Sequence, residues 1–163
     1  MREKTAVSTV VDVSFINPFI GSVGSVFTTM LNLNPKRSKV VLAEGAPGNE
    51  SLSALVGLSG ELSGVVALRF PPATALKVAS IMLDAEYTEI DDHVIDAISE
   101  LVNMVAGSAK AQFDFDPPLQ LGLPTVVEGR GYKLKYPSKS VWLDVPFACE
   151  AGDFSMEFTY IPN

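Results

Sequence analysis

The sequence predicts an α+β fold in which a largely antiparallel sheet carries long helices packed on one of its faces. Two observations lead to this prediction. Apolar residues recur at helical spacing in three stretches, which begin near residues 17, 73 and 91. Between and after these stretches, short runs of β-branched and aromatic residues are joined by short turns, an order that favours antiparallel pairing.

Length and composition fit one domain that spans residues 1–163 and buries a full core. The net charge of −7 argues against unspecific binding to nucleic acid or to an anionic membrane. Cys149 is the only cysteine, so no internal disulfide can form, and with one histidine there is no Cys/His set for structural zinc. No stretch reads as a signal peptide or reaches the length of a membrane span. We therefore expect a cytoplasmic protein.

The first part of the chain predicts a strand followed by a helix. Residues 7–15 are rich in β-branched side chains, which favours a strand. Asn17 and Pro18 are typical of an N-cap and a first helical residue, and apolar residues at helical spacing continue to about residue 31.

Turn residues divide most of the remaining chain into short elements. A second helix over about 73–84 follows Pro71 and Pro72, and its apolar positions are broad enough for burial on more than one side. These positions are Ala75, Leu76, Ala79, Ile81, Met82 and Leu83. The predicted strands are 39–43, 52–58, 65–70, 119–127, 132–136, 141–149 and 154–161. The predicted loops and turns are 35–39, 45–49, 59–64 and 129–131.

The stretch from Asp91 to Lys110 predicts an amphipathic helix, which Asp91 or Asp92 can cap. One stripe is apolar and should face the core; it contains Val94, Ile98, Leu101, Val102, Val105 and Ala109. The opposite stripe is mostly polar; it contains Asp96, Glu100, Asn103, Gly107 and Lys110. Because residues three and four apart are neighbours on a helix surface, Glu100 and Asn103 should project together towards solvent.

Two residues of the polar stripe are unfavourable in a helix interior. The Asn103 amide competes for backbone hydrogen bonds, and Gly107 costs about 1 kcal/mol relative to alanine. Gly107 also leaves the surface beside Asn103 bare enough for the backbone of another molecule to approach. The stripe is therefore either an ordinary solvated helix face or a contact surface.

Residues 100–110, ELVNMVAGSAK, resemble the signature helix of the CheX-type chemotaxis phosphatases, a branch of the CheC/CheX/FliY family. That helix carries Glu-x-x-Asn, followed by an apolar pair, a small-residue turn and Ala-Lys. Four other stretches resemble the family in the same order. They are INPFI at 16–20, GLSG at 57–60, LRFP at 68–71 and LGLPTV at 121–126. The resemblance runs from about residue 16 to the end and implies a CheC/CheX-like fold for the domain.

The resemblance implies a phosphatase that acts on the aspartyl-phosphate of a CheY-type response regulator. Asn103 would hold a water in line with the phosphorus, and Glu100 would pair with a lysine of the regulator. The regulator would bring the Mg²⁺ ion, so no cofactor and no metal site are expected in this chain. The other expected partner-binding positions are Asp96, Ser99, Gly107 and Lys110.

The same family often has two pseudo-repeated halves, and each half has a helix able to carry Glu-x-x-Asn. Aligned on that pattern, Gly21 and Gly24 of the first helix stand where Glu100 and Asn103 stand in the other, so the first half would be inert. Alternatively, the two glycines permit close helix packing. The family also implies a homodimer that joins sheet edges, which the apolar C-terminal strands make possible.

Other chemistry finds little support. His93 is the only histidine and is explained as a polar residue at a helix start, as are Asp91, Asp92 and Asp96. No phosphate-binding Gly-rich loop pattern is present. Two alternatives to the phosphatase stay open, namely a non-catalytic module that binds a regulator or flagellar component, and a structural dimer. Asn103 favours catalysis, because a mere docking face would not need an amide there.

Overall fold

The computed structural model describes residues 13–43, 49–136 and 140–162, and within them it has three helices and one eight-stranded sheet. The helices are α1 (Val13–Leu31), α2 (Pro72–Leu83) and α3 (Asp92–Lys110). The strands are β1 (Lys36–Arg37), β2 (Val41–Leu42), β3 (Glu50–Ser59), β4 (Leu62–Phe70), β5 (Gln120–Leu121), β6 (Thr125–Arg130), β7 (Leu143–Cys149) and β8 (Gly152–Pro162).

The sheet is antiparallel in all of its described pairings, as predicted. Its strand order is β1-β7-β8-β4-β3-β5, with β2 also paired to β7 and β6 also paired to β3. The β3–β4 hairpin forms the middle of the sheet together with β8, and its turn at Gly60 has a φ of 121°, a conformation that favours glycine.

All three helices contribute to a core on one face of the sheet. Along β8, alternate side chains are at most 4% exposed and point to this face; they are Phe154, Met156, Phe158 and Tyr160. They join the apolar stripes of the helices in one cluster, where Phe27 of α1 stacks on Phe154 with ring centroids 4.7 Å apart. The predicted fold class, with long helices packed on one sheet face, is confirmed.

The start of α1 differs from the prediction. The helix begins at Val13, so the strand predicted over 7–15 is wrong for its last three residues, and 7–12 lie outside the described residues. Pro18 lies inside the helix rather than at its first position. The reason is tertiary, because Ile16 is fully buried and the ring of Phe15 packs edge-on against Tyr160, 5.0 Å away. This burial outweighs the hydrogen bond that the proline lacks.

Several short elements also differ. Lys36 and Arg37, predicted as loop, pair with β7 as strand β1. The strand predicted over 119–127 is divided into β5 and β6, and the turn predicted at 129–131 is partly strand, since β6 continues to Arg130. No strand forms over 132–136. The predicted turn at 45–49 lies outside the described residues except for Asn49.

Helix α2 is buried on one side only. Its buried residues are Thr74, Ala75, Val78 and Ala79, whereas Ile81 and Leu83 are 42% and 37% exposed. The expectation of burial on more than one side is therefore wrong, because α2 lies at the border of the helical layer.

Helix α1 is long and apolar enough to span a membrane by length and composition alone, contrary to the expectation that no stretch reaches that length. In the fold its apolar face is part of the core, where Ile16, Phe19, Val23 and Phe27 are fully buried.

The C-terminal strands do not form an edge of the sheet. Strand β8 pairs with β4 and β7, and β7 pairs with β8 and with β1 and β2. Within the described ranges, the edges are formed by β1 and β2 on one side and by β5 and β6 on the other. The C-terminal strands therefore cannot supply the edge-to-edge contact that was suggested for them.

Candidate functional site

The candidate site lies on α3, whose first turn is held by a side-chain cap. Asp91 is the N-cap, and its Oδ1 accepts a hydrogen bond of 3.0 Å from the Val94 N–H. This bond is the main cause of a lowered pKa for the Asp91 carboxyl. His93 is exposed in the first turn of α3, and its Nδ1 lies 3.7 Å from Asp91 Oδ2. It is therefore a polar residue at the helix start.

The two stripes of α3 are arranged as the sequence predicts. The apolar stripe is buried throughout, and Ala97 and Ala106 are buried as well. Of the opposite stripe, Asp96 and Glu100 are exposed, whereas Asn103, Gly107 and Lys110 are partly buried. Ser99, at the margin of this stripe, is partly buried too. The helix thus brings all six predicted site residues to its outer side.

Glu100 and Asn103 lie one helical turn apart on this outer side. Within the described residues, neither side chain makes a hydrogen bond or an ion pair. Their polar groups are therefore available to another molecule. An exposed carboxylate offers only acceptors, whereas the amide offers both a donor and an acceptor.

The surface beside Asn103 is bare. A Cβ atom added at Gly107 would have no atom within 4 Å, apart from the backbone of its own helix. The glycine is therefore not required by packing against the rest of the fold. Its absent side chain leaves room for a partner to approach the amide.

Helix α1 lies alongside α3 in the opposite direction. Ser22, which is fully buried, donates a hydrogen bond to Ser108 Oγ at 3.1 Å and accepts one from Gln112 Nε2 at 3.1 Å. One turn earlier on α1, the ring of Phe19 lies 5.8 Å from that of Phe113, which follows α3. In the sequence, this network is signalled only by a serine on the apolar flank of α1.

The two glycines of α1 do not serve close helix packing. An added Cβ at Gly21 or at Gly24 would meet no atom within 4 Å. That alternative is therefore wrong, and the glycines occupy an open part of the surface.

The described residues offer no candidate metal site. Within 13–43, 49–136 and 140–162, no group of three or more His, Cys, Asp or Glu side chains could hold a metal ion. Of the acidic residues at the start of α3, Asp91 caps the helix and Asp92 lies in its first turn, where a negative charge is favourable.

Two sequence comparisons match this chain to proteins described as CheX. The family described as chemotaxis phosphatase CheX matches residues 52–148. The CheY-P phosphatase CheX of Thermotoga maritima is 33% identical over 139 residues, which cover 84% of this chain and 88% of that protein.

Solved structures that are similar to this chain include CheC-like and CheX proteins. A CheC-like superfamily protein from Shewanella sp. PV-4 superposes with a TM-score of 0.82 at 29% identity, covering 93% of this chain and 99% of that one. The CheX–CheY–BeF3–Mg²⁺ complex from Borrelia burgdorferi contains a chain that superposes with a TM-score of 0.72 at 25% identity, covering 90% of this chain and 97% of that one.

Proposed function

The chain belongs to the CheX family of chemotaxis phosphatases, and from this premise we propose that it hydrolyses the aspartyl-phosphate of a CheY-type response regulator. The relative from Thermotoga maritima is named for this activity, and the Borrelia burgdorferi structure is a complex with CheY. The observation that carries the proposal in this molecule is a pair of polar groups, Glu100 and Asn103, one turn apart on the outer side of α3 and without a partner among the described residues.

In this proposal Asn103 is the catalytic residue. Its amide enters the regulator's site, where it holds a water in line with the phosphorus by one donor and one acceptor. Phosphoryl transfer asks mainly for positioning and for stabilisation of charge, and an amide that orients the attacking water supplies the first of these.

Glu100 sets the position of the docked partner. Its exposed carboxylate pairs with a lysine of the regulator and thereby fixes the register of Asn103 one turn further along α3. Asp96, Ser99, Gly107 and Lys110 surround this pair as the rim of the contact. Charge stabilisation at the phosphate comes from the regulator, which brings the Mg²⁺ ion, so this chain needs no cofactor of its own.

The proposed setting is the cytoplasm, where response regulators act, and the proposed assembly is a homodimer. An edge of the sheet is the natural contact, since edge strands present unpaired backbone groups. With β7 and β8 inside the sheet, the longest of the described edge strands is β6, with six residues, and we propose it for this contact.

The test is the decay of a CheY-type regulator from the same source after it has been charged with acetyl phosphate. Wild-type protein should accelerate phosphate release, and Asn103→Ala should lose about a hundred-fold of that acceleration. Binding to the regulator loaded with beryllofluoride should persist in the variant.

Asn17→Ala is the matched control, because Asn17 is an exposed asparagine on the neighbouring helix α1. Its acceleration should equal that of wild type. If wild type binds the regulator without accelerating the decay, the chain is a docking module and the catalytic proposal fails.

A further inference from the structure

The side of the sheet that faces away from the helices carries polar groups and is covered by part of the link between β6 and β7. We call residues 131–136 and 140–142 the covering segment. Near its start, the Tyr132 hydroxyl lies 2.6 Å from Ser53 Oγ and 3.0 Å from Ser51 Oγ. Near its end, the Val141 carbonyl accepts a bond of 2.8 Å from the hydroxyl of Thr159, which is fully buried.

Arg69 of β4 holds the start of the covering segment. Its Nη2 donates to the Tyr132 carbonyl at 3.1 Å, and its Nε donates to Ser53 Oγ at 3.3 Å. Its guanidinium also lies 4.3 Å above the centre of the Tyr132 ring. The ion pair with Glu157 Oε2, at 3.7 Å from Nη1, is longer than a hydrogen bond.

Glu157 of β8 and Asp144 of β7 are directly opposite each other in the β7–β8 register. Side chains in such a pair are neighbours, and like charges there repel. Glu157 is 9% exposed, and two buried oxygens, Glu157 Oε1 and Asp144 Oδ1, make no hydrogen bond within the described residues. An ionised carboxylate left in this state is costly, whereas a protonated one is less so.

Among the described residues, the charges around the pair do not balance when both carboxyls are ionised. From β4 the pair faces the guanidinium of Arg69, and the covering segment adds the phenol of Tyr132. Strand β3 adds the hydroxyls of Ser51 and Ser53, and its first residue, the exposed Glu50, lines the same pocket as Arg69. The other charged groups of the described surface nearby are exposed; they are Asp153 at the start of β8 and Lys133 and Lys135 on the covering segment. Two carboxylates against one guanidinium would leave a net negative charge buried.

We propose that Asp144 and Glu157 hold one proton between them in the folded protein, and that this proton keeps the covering segment fastened through Arg69. With the proton bound, the cluster is neutral and the guanidinium is free to donate to Tyr132 and Ser53. When the proton leaves, the second carboxylate draws the guanidinium and water towards the pair, and the hold on Tyr132 weakens. The proposal concerns the opposite side of the sheet from α3 and is independent of the proposed phosphatase function.

The direction of titration supports this geometry. Burial is the main cause of a raised pKa for both carboxyls; Arg69 opposes it at each, a hydrogen bond from Ser155 opposes it at Asp144, and the Asp144 charge adds to it at Glu157. The folded protein therefore binds the proton more tightly than the unfolded chain. The bound proton therefore stabilises the folded protein. This stabilisation is fully present below the ordinary carboxyl pKa and is lost as the pH rises through the raised pKa.

The first test follows urea unfolding between pH 5 and pH 9 through the fluorescence of Trp142, the only tryptophan, which is partly buried on the covering segment. In wild type, the ratio of folded to unfolded protein should fall as the pH rises. The fall should be steeper than in Asp144→Asn, by a factor of up to about ten per pH unit. Asp153→Asn removes an exposed carboxyl of strand β8, which also carries Glu157, and should keep the wild-type slope. Equal slopes for wild type and Asp144→Asn would overturn the shared proton.

Carbon-13 NMR of the side-chain carboxyls of wild type provides a second measurement that needs no variant. One proton should leave the Asp144–Glu157 pair above the ordinary carboxyl range, and titration of both groups at ordinary values would overturn the proposal.

The role of the covering segment is tested by trypsin, which cuts after the exposed Lys133 and Lys135. The ratio of cutting rates, wild type to Asp144→Asn, should be near one below the pH at which the pair loses its proton in the carbon-13 titration and should rise several-fold above that pH. A ratio that does not change with pH would show that the proton does not fasten the segment.

Discussion

Helices α1 and α3 have the same length and pack side by side on the same face of the sheet, but their outer surfaces differ. Each has 19 residues, and each buries an apolar stripe in the common core. The outer side of α1 has no charged residue and carries Gly21 and Gly24, whereas that of α3 carries Glu100 and Asn103. The same contribution to the core is thus compatible with an inert or a polar outer surface.

The glycines on these two outer surfaces are tolerated by the fold and are not required by it. Glycines inside a helix cost stability, yet neither helix needs its outer glycines, because an added Cβ at Gly21, Gly24 or Gly107 would meet open space. On α3 the open space adjoins the proposed catalytic amide and the carboxylate of Glu100. On α1, Gly21 follows the exposed amide of Asn17 at the same spacing, but that helix carries no carboxylate beside it.

The largest effect is expected when α3 is given the outer surface of α1. The double change Glu100→Gly and Asn103→Gly copies the Gly-x-x-Gly of α1 and removes both the water-positioning amide and the docking carboxylate. The kcat/KM for regulator dephosphorylation should fall by roughly a thousand-fold, about a hundred-fold from the amide and ten-fold from docking.

The same double variant should unfold with about 1 kcal/mol less free energy, because two glycines enter a helix interior. The two quantities are measured by phosphate release and by urea unfolding. A variant that unfolds as expected but retains more than a tenth of the wild-type kcat/KM would mean that the site lies elsewhere.

A smaller effect should follow from Glu100→Gln. The change keeps the shape of the side chain and removes its charge, so the Kd for the regulator should rise about ten-fold, equivalent to about 1.4 kcal/mol. Because the interaction is between charges near solvent, the loss should shrink as salt is raised.

Asp153→Asn removes the same charge from an exposed position on β8, outside the proposed contact, and is the matched control. Isothermal calorimetry at two salt concentrations compares the variants. Equal losses for Asp153→Asn and Glu100→Gln would mean that Glu100 contributes only to the general charge of the surface.

The smallest effect should distinguish the bare surfaces of the two helices. Gly107→Ala and Gly24→Ala should each raise the free energy of unfolding by roughly 0.5–1 kcal/mol, since both sites have room for a methyl group. Only Gly107→Ala should weaken regulator binding, by a few-fold, because the methyl group enters the proposed contact. A matching loss in Gly24→Ala would place α1 in the contact as well.

The sequence predicted α3 from Asp91 to Lys110 and both of its stripes, because its apolar period and its N-cap signal agree. It predicted the start of α1 less well. Asn17 and Pro18 are a good local start signal, but the aromatic contacts of Phe15 and the burial of Ile16 extend the helix to Val13. Such contacts join residues far apart in the chain, and no local pattern contains them.

The short strands were missed for a related reason. Lys36 and Arg37 have no strand pattern of their own and become β1 only because β7 offers them backbone partners. Residues 132–136 do have such a pattern, but no strand forms there. Tyr132 is bound instead by Arg69, Ser51 and Ser53 on the side of the sheet that faces away from the helices.

By itself the sequence determined the fold class, the long helices, the central hairpin and the position of Glu100 beside Asn103, since each follows from periodicity within one segment. Only the tertiary structure decided which strands are edges and that Gly21 and Gly24 face open space. It also decided that Asp144 is opposite Glu157 in the β7–β8 register, with Arg69 beside Glu157. These features depend on register and burial between distant segments. Their energies arise only when the segments come together.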